Sequence, residues 1–79
     1  MTQCEAIIEA LQALGGEATI SEVNDWVNRK YPNRWKDTGT CLTDMVSEEK
    51  GGNGSSTVPS YFRVLERVER GRYKLRYVL

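Results

Sequence analysis

LERVERGRYKL, residues 65–75, is the stretch on which the fold turns. Before the Arg70-Gly71 pair, Leu65 and Val68 are apolar while Arg67 and Glu69 are charged. After it, Tyr73 and Leu75 alternate with Arg72, Lys74 and Arg76. Alternation at period two is the pattern of a half-buried strand, and an X-Gly pair between two such runs makes a tight hairpin. The expected hairpin buries Val68, Tyr73 and Leu75 on one face and shows arginines on the other. A two-stranded hairpin alone is marginal in water, so the rest of the chain has to support it.

That support reads as three helices and one further strand. Residues 3–14 place Cys4, Ile7, Ile8, Leu11 and Leu14 on one helical face, with Glu5, Glu9 and Gln12 opposite. Thr2 caps this helix with Glu5 as its capping-box partner, and Gly15-Gly16 ends it. Ala18–Ile20 is a short β-favouring run that can join the hairpin as a third strand. Ser21 is the expected N-cap of a second helix whose apolar face is Val23, Trp26 and Val27, with Tyr31 a further candidate. Arg29 and Lys30 suit its last turn, and Pro32 stops it. After a linker, Asp37 or Thr38 caps a third helix running to about Glu49. Cys41 or Leu42, Met45 and Val46 point inward from it, and Lys36, Thr40, Thr43, Asp44 and Ser47 lie on the opposite face. Residues 50–60, KGGNGSSTVPS, read as a flexible Gly/Ser loop. Residues 1–79 therefore form one α+β domain in the order α-β-α-α-β-β.

At 79 residues, 39% hydrophobic and 28% charged, the composition is that of an ordinary small globule. A core of this size contributes a net stability on the order of 3–5 kcal/mol, so every apolar residue is first a core candidate. No apolar run approaches the ~20 residues of a membrane span, and no signal peptide is read; a cytoplasmic protein is expected. Two cysteines without a histidine are too few donors for a zinc site, so neither metal nor cofactor is expected, and Cys4 and Cys41 read as buried free thiols. Without histidine the usual general base is missing, and the Ser, Cys and acidic residues have no motif spacing. An enzyme, and with it a small-molecule substrate, is not expected.

The formal net charge of zero conceals a segregation. Residues 1–26 hold Glu5, Glu9, Glu17, Glu22 and Asp25 and no base. Residues 27–36 hold Arg29, Lys30, Arg34 and Lys36 and no acid. Residues 37–50 are acidic again, with Asp37, Asp44, Glu48 and Glu49 against Lys50. Residues 51–79 carry Arg63, Arg67, Arg70, Arg72, Lys74 and Arg76 against Glu66 and Glu69. An acidic back and a basic hairpin suit a polyanion bound on one side.

Three stretches carry a family likeness: GGEATISEV at 15–23, the helix at 38–48, and FRVLERVERGRYKL at 62–75. Together they resemble a winged helix-turn-helix domain, of the HARE-HTH type and of the kind attached to restriction-type endonucleases. The matching hairpin positions are Leu65, Val68, Gly71, Tyr73 and Leu75, and the likeness covers roughly residues 4–76. It implies three helices with a small three-stranded antiparallel sheet, and double-stranded DNA as partner. The third helix would enter the major groove and the wing would meet the backbone or minor groove. The whole would be a small transcriptional regulator or a DNA-reading module.

On that reading Arg67, Arg70, Arg72, Lys74 and Arg76 contact phosphates, which supply affinity without sequence information. Lys36, Thr38, Thr40, Thr43 and Ser47 meet phosphates and base edges. The competing reading of the hairpin is a solvated strand face on which Glu66 and Glu69 pair with arginines and blunt an edge. Arg29, Lys30, Arg34 and Lys36 surround Trp35, either as a backbone-facing patch or as solvent around a core plug. Asn53, Ser55 and Ser56 offer donors from the loop. Because the third helix shows Asp44 and no arginine, backbone affinity is favoured over base reading. A winged helix used for protein interaction, with a partner or as a homodimer, is the alternative.

Overall fold

The structure, a computed structural model, describes residues 2–46, 52, 54, 58 and 60–76. Its elements are α1 (Gln3–Ala13), β1 (Glu17–Thr19), α2 (Ile20–Lys30), α3 (Thr38–Asp44), a 3-10 turn at Ser60–Phe62, β2 (Leu65–Glu69) and β3 (Arg72–Leu75). This is the expected α+β layout: three helices and a three-stranded antiparallel sheet, ordered β1-β3-β2.

The helix starts follow from side-chain chemistry. Thr2 caps α1 through a reciprocal box with Glu5, as its sequence indicates. α2 starts earlier than expected. Thr19 is its N-cap, with Thr19 Oγ1 accepting from the Glu22 amide at 3.1 Å and Glu22 Oε1 accepting from the Thr19 amide at 2.9 Å. Ser21 lies inside the helix, and the strand before it is Glu17–Thr19 in place of Ala18–Ile20. Tyr31 is the C-cap, with Pro32 after it. The Tyr31–Arg34 turn then closes with Arg34 N donating to Tyr31 O at 3.3 Å, and Asn33 in the left-handed region at φ 57°. Proline second and asparagine third is the residue pattern of a type II turn.

α3 is shorter than the sequence suggests. Asp37 caps it, Met45 ends it, and Val46 leaves the helix to form a parallel bridge with Leu65. The Leu65 amide donates to Met45 O at 3.2 Å. Helical periodicity would carry on through Val46; pairing with β2 ends the helix instead. The expected continuation over 47–49 and most of the Gly/Ser segment 50–60 lie outside the described residues.

The sheet buries one face. On the inner side Ala18 is in register with Tyr73 and Leu65 with Leu75, and Ala18, Leu65 and Tyr73 join Ile7, Leu11, Val23, Val27, Leu42 and Met45 in one core. Val68 is not in it: a bulge between Arg67 and Glu69 leaves Val68 46% exposed, against the expectation that the hairpin buries it. Two further bonds tie the sheet to its surroundings. Ile20 N donates to Gly71 O and Leu75 N to Gly16 O, both at 2.9 Å, so the hairpin turn sits against the start of α2.

Candidate nucleic-acid interface

Side chains of β3 alternate, so Arg72 and Lys74 lie on the outer face of the sheet. Lys74 is in register with Glu17 on one side and Glu66 on the other; Arg72 is in register with Thr19 and Glu69. Carboxylates therefore surround both cations. Arg72 reaches Glu69 at 3.2 Å and Glu17 at 3.6 Å, and Lys74 reaches Glu66 at 3.8 Å. Glu22 also feels Arg72, although its carboxyl is held below the usual range chiefly by its bonds with Thr19. The cross-strand pairing weighed from the sequence is what these two residues do.

Arg67 does not share that face. It is in register with Tyr73, at a position where the core has ended, and is exposed. Arg70 is exposed in the turn. Among the described residues neither has an ion-pair partner. Arg76 is exposed but its Nη1 donates to the Arg63 carbonyl at 3.3 Å.

The α3 candidates separate. Thr38 is 2% exposed and its Oγ1 accepts from Gln3 Nε2 at 3.4 Å. Once Asp37 takes the cap, Thr38 becomes the first helical residue and faces α1, so its expected role in meeting phosphates and base edges is corrected. Thr40 is exposed, with its hydroxyl donating to Asp37 Oδ2 at 2.8 Å and its amide to Oδ1 at 3.2 Å. Thr43 is half-buried and its hydroxyl donates to Thr40 O at 2.9 Å. Both threonine hydroxyls retain acceptor capacity, while their protons are used within the helix. Ser47 lies outside the described residues.

Lys36 is exposed ahead of α3 and lines an open groove of about 570 Å³ with Asn28, Pro32, Asn33 and Trp35. Trp35 is half-buried against the core, edge-on to Tyr31 at 5.7 Å, with the Arg34 guanidinium 5.6 Å over its ring. The Trp35 body is thus a plug, and the cations at its rim belong to solvent. Lys30 is taken up by Glu9 at 2.8 Å and lies 5.1 Å over Trp26.

Two residues were not singled out from the sequence. Arg63, counted there among the basic residues, is 7% exposed; its Nη1 donates to Val46 O at 3.0 Å and its Nε to Val58 O at 3.3 Å. Its signal was available only as an arginine inside the apolar run 61–65. Tyr61 is 74% exposed beside Phe62, its ring 4.9 Å away, and its position ahead of a strand does not mark it as solvent-facing. Among the described residues no group of three or more His, Cys, Asp or Glu is placed to hold a metal ion, and no helix is long and apolar enough to cross a membrane.

The class defined by this architecture is a small α+β domain with a three-helix layer on an antiparallel hairpin sheet. The chain belongs to the family described as Domain of unknown function (DUF7669), whose model matches residues 5–75. No curated protein and no solved structure matches it.

Proposed function

We propose that this domain is a winged helix-turn-helix module that docks on double-stranded DNA without catalysing a reaction, holding the backbone and reading bases little. The supporting observation is the distribution of cations around α3. The helix is entered through exposed Arg34 and Lys36. At its exit Val46 is bridged to Leu65, the base of the hairpin that carries exposed Arg67 and Arg70. None of the four has a carboxylate partner among the described residues. Arg72 and Lys74 are already matched by Glu17, Glu66 and Glu69 and contribute less. With a helix of 7 residues in which Thr38 is buried and the Thr40 and Thr43 hydroxyls bond to their own turn, base discrimination through α3 is weak.

Fluorescence anisotropy of labelled duplexes across a salt series tests this. Wild type should bind duplexes of unrelated sequence with similar affinity. Arg67→Ala with Arg70→Ala, and Arg34→Ala with Lys36→Ala, should each weaken binding and flatten the log–log salt slope by about 2. Absence of binding at ~50 mM salt, or double variants indistinguishable from wild type at every salt, overturns the proposal. The pairing of Arg72 and Lys74 favours a second reading, protein association. A self-association equilibrium in sedimentation, with no duplex binding, would select it.

A further inference from the structure

We propose that Cys4 and Cys41 form a dithiol–disulfide site that locks α1 to α3 when the protein meets a low-molecular-weight disulfide. The two Sγ atoms lie 3.7 Å apart although the residues are 37 positions apart in sequence. Cys4 is in the first turn of α1 and Cys41 one turn into α3. Both are free thiols. The Gln3–Thr38 bond at 3.4 Å fixes the same two helix starts against each other, so the sulfurs meet on a braced contact. A disulfide needs its sulfurs at ~2.05 Å, a closure that small side-chain rotations and helix shifts can supply from this separation.

The exposures set the order of events. Cys4 is 8% exposed and enclosed by the core; Cys41 is half-buried and is the thiol that solvent reaches. The Cys41 thiolate attacks one sulfur of the oxidant, whose S–S bond breaks and releases one thiolate. Cys4 then loses its proton and attacks the Cys41 sulfur in the mixed disulfide. The protein S–S bond forms and the second oxidant thiolate departs and is protonated. The protein loses two electrons and two protons, and the oxidant becomes two thiols.

The surroundings set the rate. Burial first, then the neighbouring Cys4 and the carboxylates of Asp44 and Asp37, push the Cys41 thiol up to about 12. The first step is therefore slow at neutral pH and accelerates about tenfold per pH unit. This is a latch for sustained oxidising exposure, not a rapid sensor. It stands independently of the nucleic-acid reading.

The experiment is incubation of the reduced chain with oxidised glutathione at pH 7 and pH 9, followed by acid quench and intact mass. The expected product is a monomer lighter by about 2 Da, formed on the order of a hundredfold faster at pH 9. Both thiols should disappear together, and digestion should yield one peptide pair joined through Cys4 and Cys41. The urea midpoint should rise and return on reduction with dithiothreitol. Cys4→Ser should stop at the mixed disulfide on Cys41. Accumulation of the mixed disulfide or of covalent dimers in wild type, or a linked form that unfolds at lower urea than the dithiol, overturns the proposal.

Discussion

Arg72 on the central strand reaches across to Glu17 on the edge strand, Nη1 to Oε2 at 3.6 Å, while its Nε lies 3.2 Å from Glu69 Oε1. The bulge makes the second contact possible. In unbroken alternation Glu69 would fall on the inner face with Leu65 and Arg67. The extra residue, Val68, returns it to the outer face opposite Arg72. One inserted residue thus brings Glu69 beside Arg72 while Val68 stays exposed.

Removing the two carboxylates should release that arginine. Glu17→Gln with Glu69→Gln is expected to leave the urea midpoint nearly unchanged, within about 0.5 kcal/mol, because both acids and the arginine are substantially exposed. Duplex affinity should rise at low salt, with the salt slope steeper by about 1. Anisotropy titration of the double variant checks this; an unchanged slope would mean that Arg72 does not face the phosphates.

Arg63 holds a different position in the energetics. Its guanidinium bonds the carbonyls of Val46 and Val58, where the chain leaves α3 and where it returns ahead of β2. Arg63→Ala should cost about 2–3 kcal/mol, since buried carbonyls lose a charged donor. Arg63→Lys should recover only part, because an ammonium lacks the planar fork that spans two acceptors. Chemical denaturation of the two variants measures both numbers.

The caps give a sharper comparison. Thr19→Ala removes the acceptor of the Glu22 amide and should cost about 1 kcal/mol, whereas Ser21→Ala should be near neutral. Equal effects would place the start of α2 at Ser21. Gly71→Ala, at φ 79°, should also cost about 1 kcal/mol through backbone conformation alone, since nothing lies within 4 Å of an added Cβ.

These sites mark where the sequence was legible. The alternation of Arg72-Tyr73-Lys74-Leu75 placed Tyr73 inward and the two cations outward, and the Thr2–Glu5 spacing placed the first cap. Thr19–Glu22 has the same capping-box spacing and was readable; Ser21, a good cap residue nearer the helical periodicity, masked it. Leu65 and Val68 are three apart, a spacing that no regular strand can bury on one face, so the bulge left a trace. The end of α3 left none, because Val46 fits the helical face and exits only to pair with Leu65, a contact distant in sequence. Arg63 was opaque for the same reason: its acceptors are backbone carbonyls that only the fold assembles. Of the candidate interface, Lys36, Arg67 and Arg70 were legible as exposed cations. The neutralisation of Arg72 and Lys74 required the register.

The Glu9, Lys30 and Tyr31 cluster joins α1 to the end of α2 and carries a pH signature. Lys30 Nζ and Tyr31 Oη both lie 2.8 Å from Glu9 Oε1. The bond from Lys30, then that from Tyr31, holds the Glu9 carboxyl below its usual range. Glu9 in turn raises Lys30 and Tyr31 above theirs, in both cases mainly by the hydrogen bond. A depressed carboxyl contributes stability that is present above its unfolded value and lost as pH falls through the folded one. A raised amine or phenol contributes stability that is present below its unfolded value and lost as pH rises through the folded one. The cluster therefore weakens below the ordinary glutamate value of 4.5 and again above the tyrosine and lysine values of 10.0 and 10.5. Glu5 and Glu22, lowered by their cap bonds to Thr2 and Thr19, add to the acid arm only. In urea unfolding from pH 3 to pH 11, Glu9→Gln should reduce the alkaline arm to the part that the raised Cys41 thiol sustains, and leave the part of the acid arm that Glu5 and Glu22 sustain. An alkaline arm as steep in Glu9→Gln as in wild type would show that the coupling between α1 and α2 resides elsewhere.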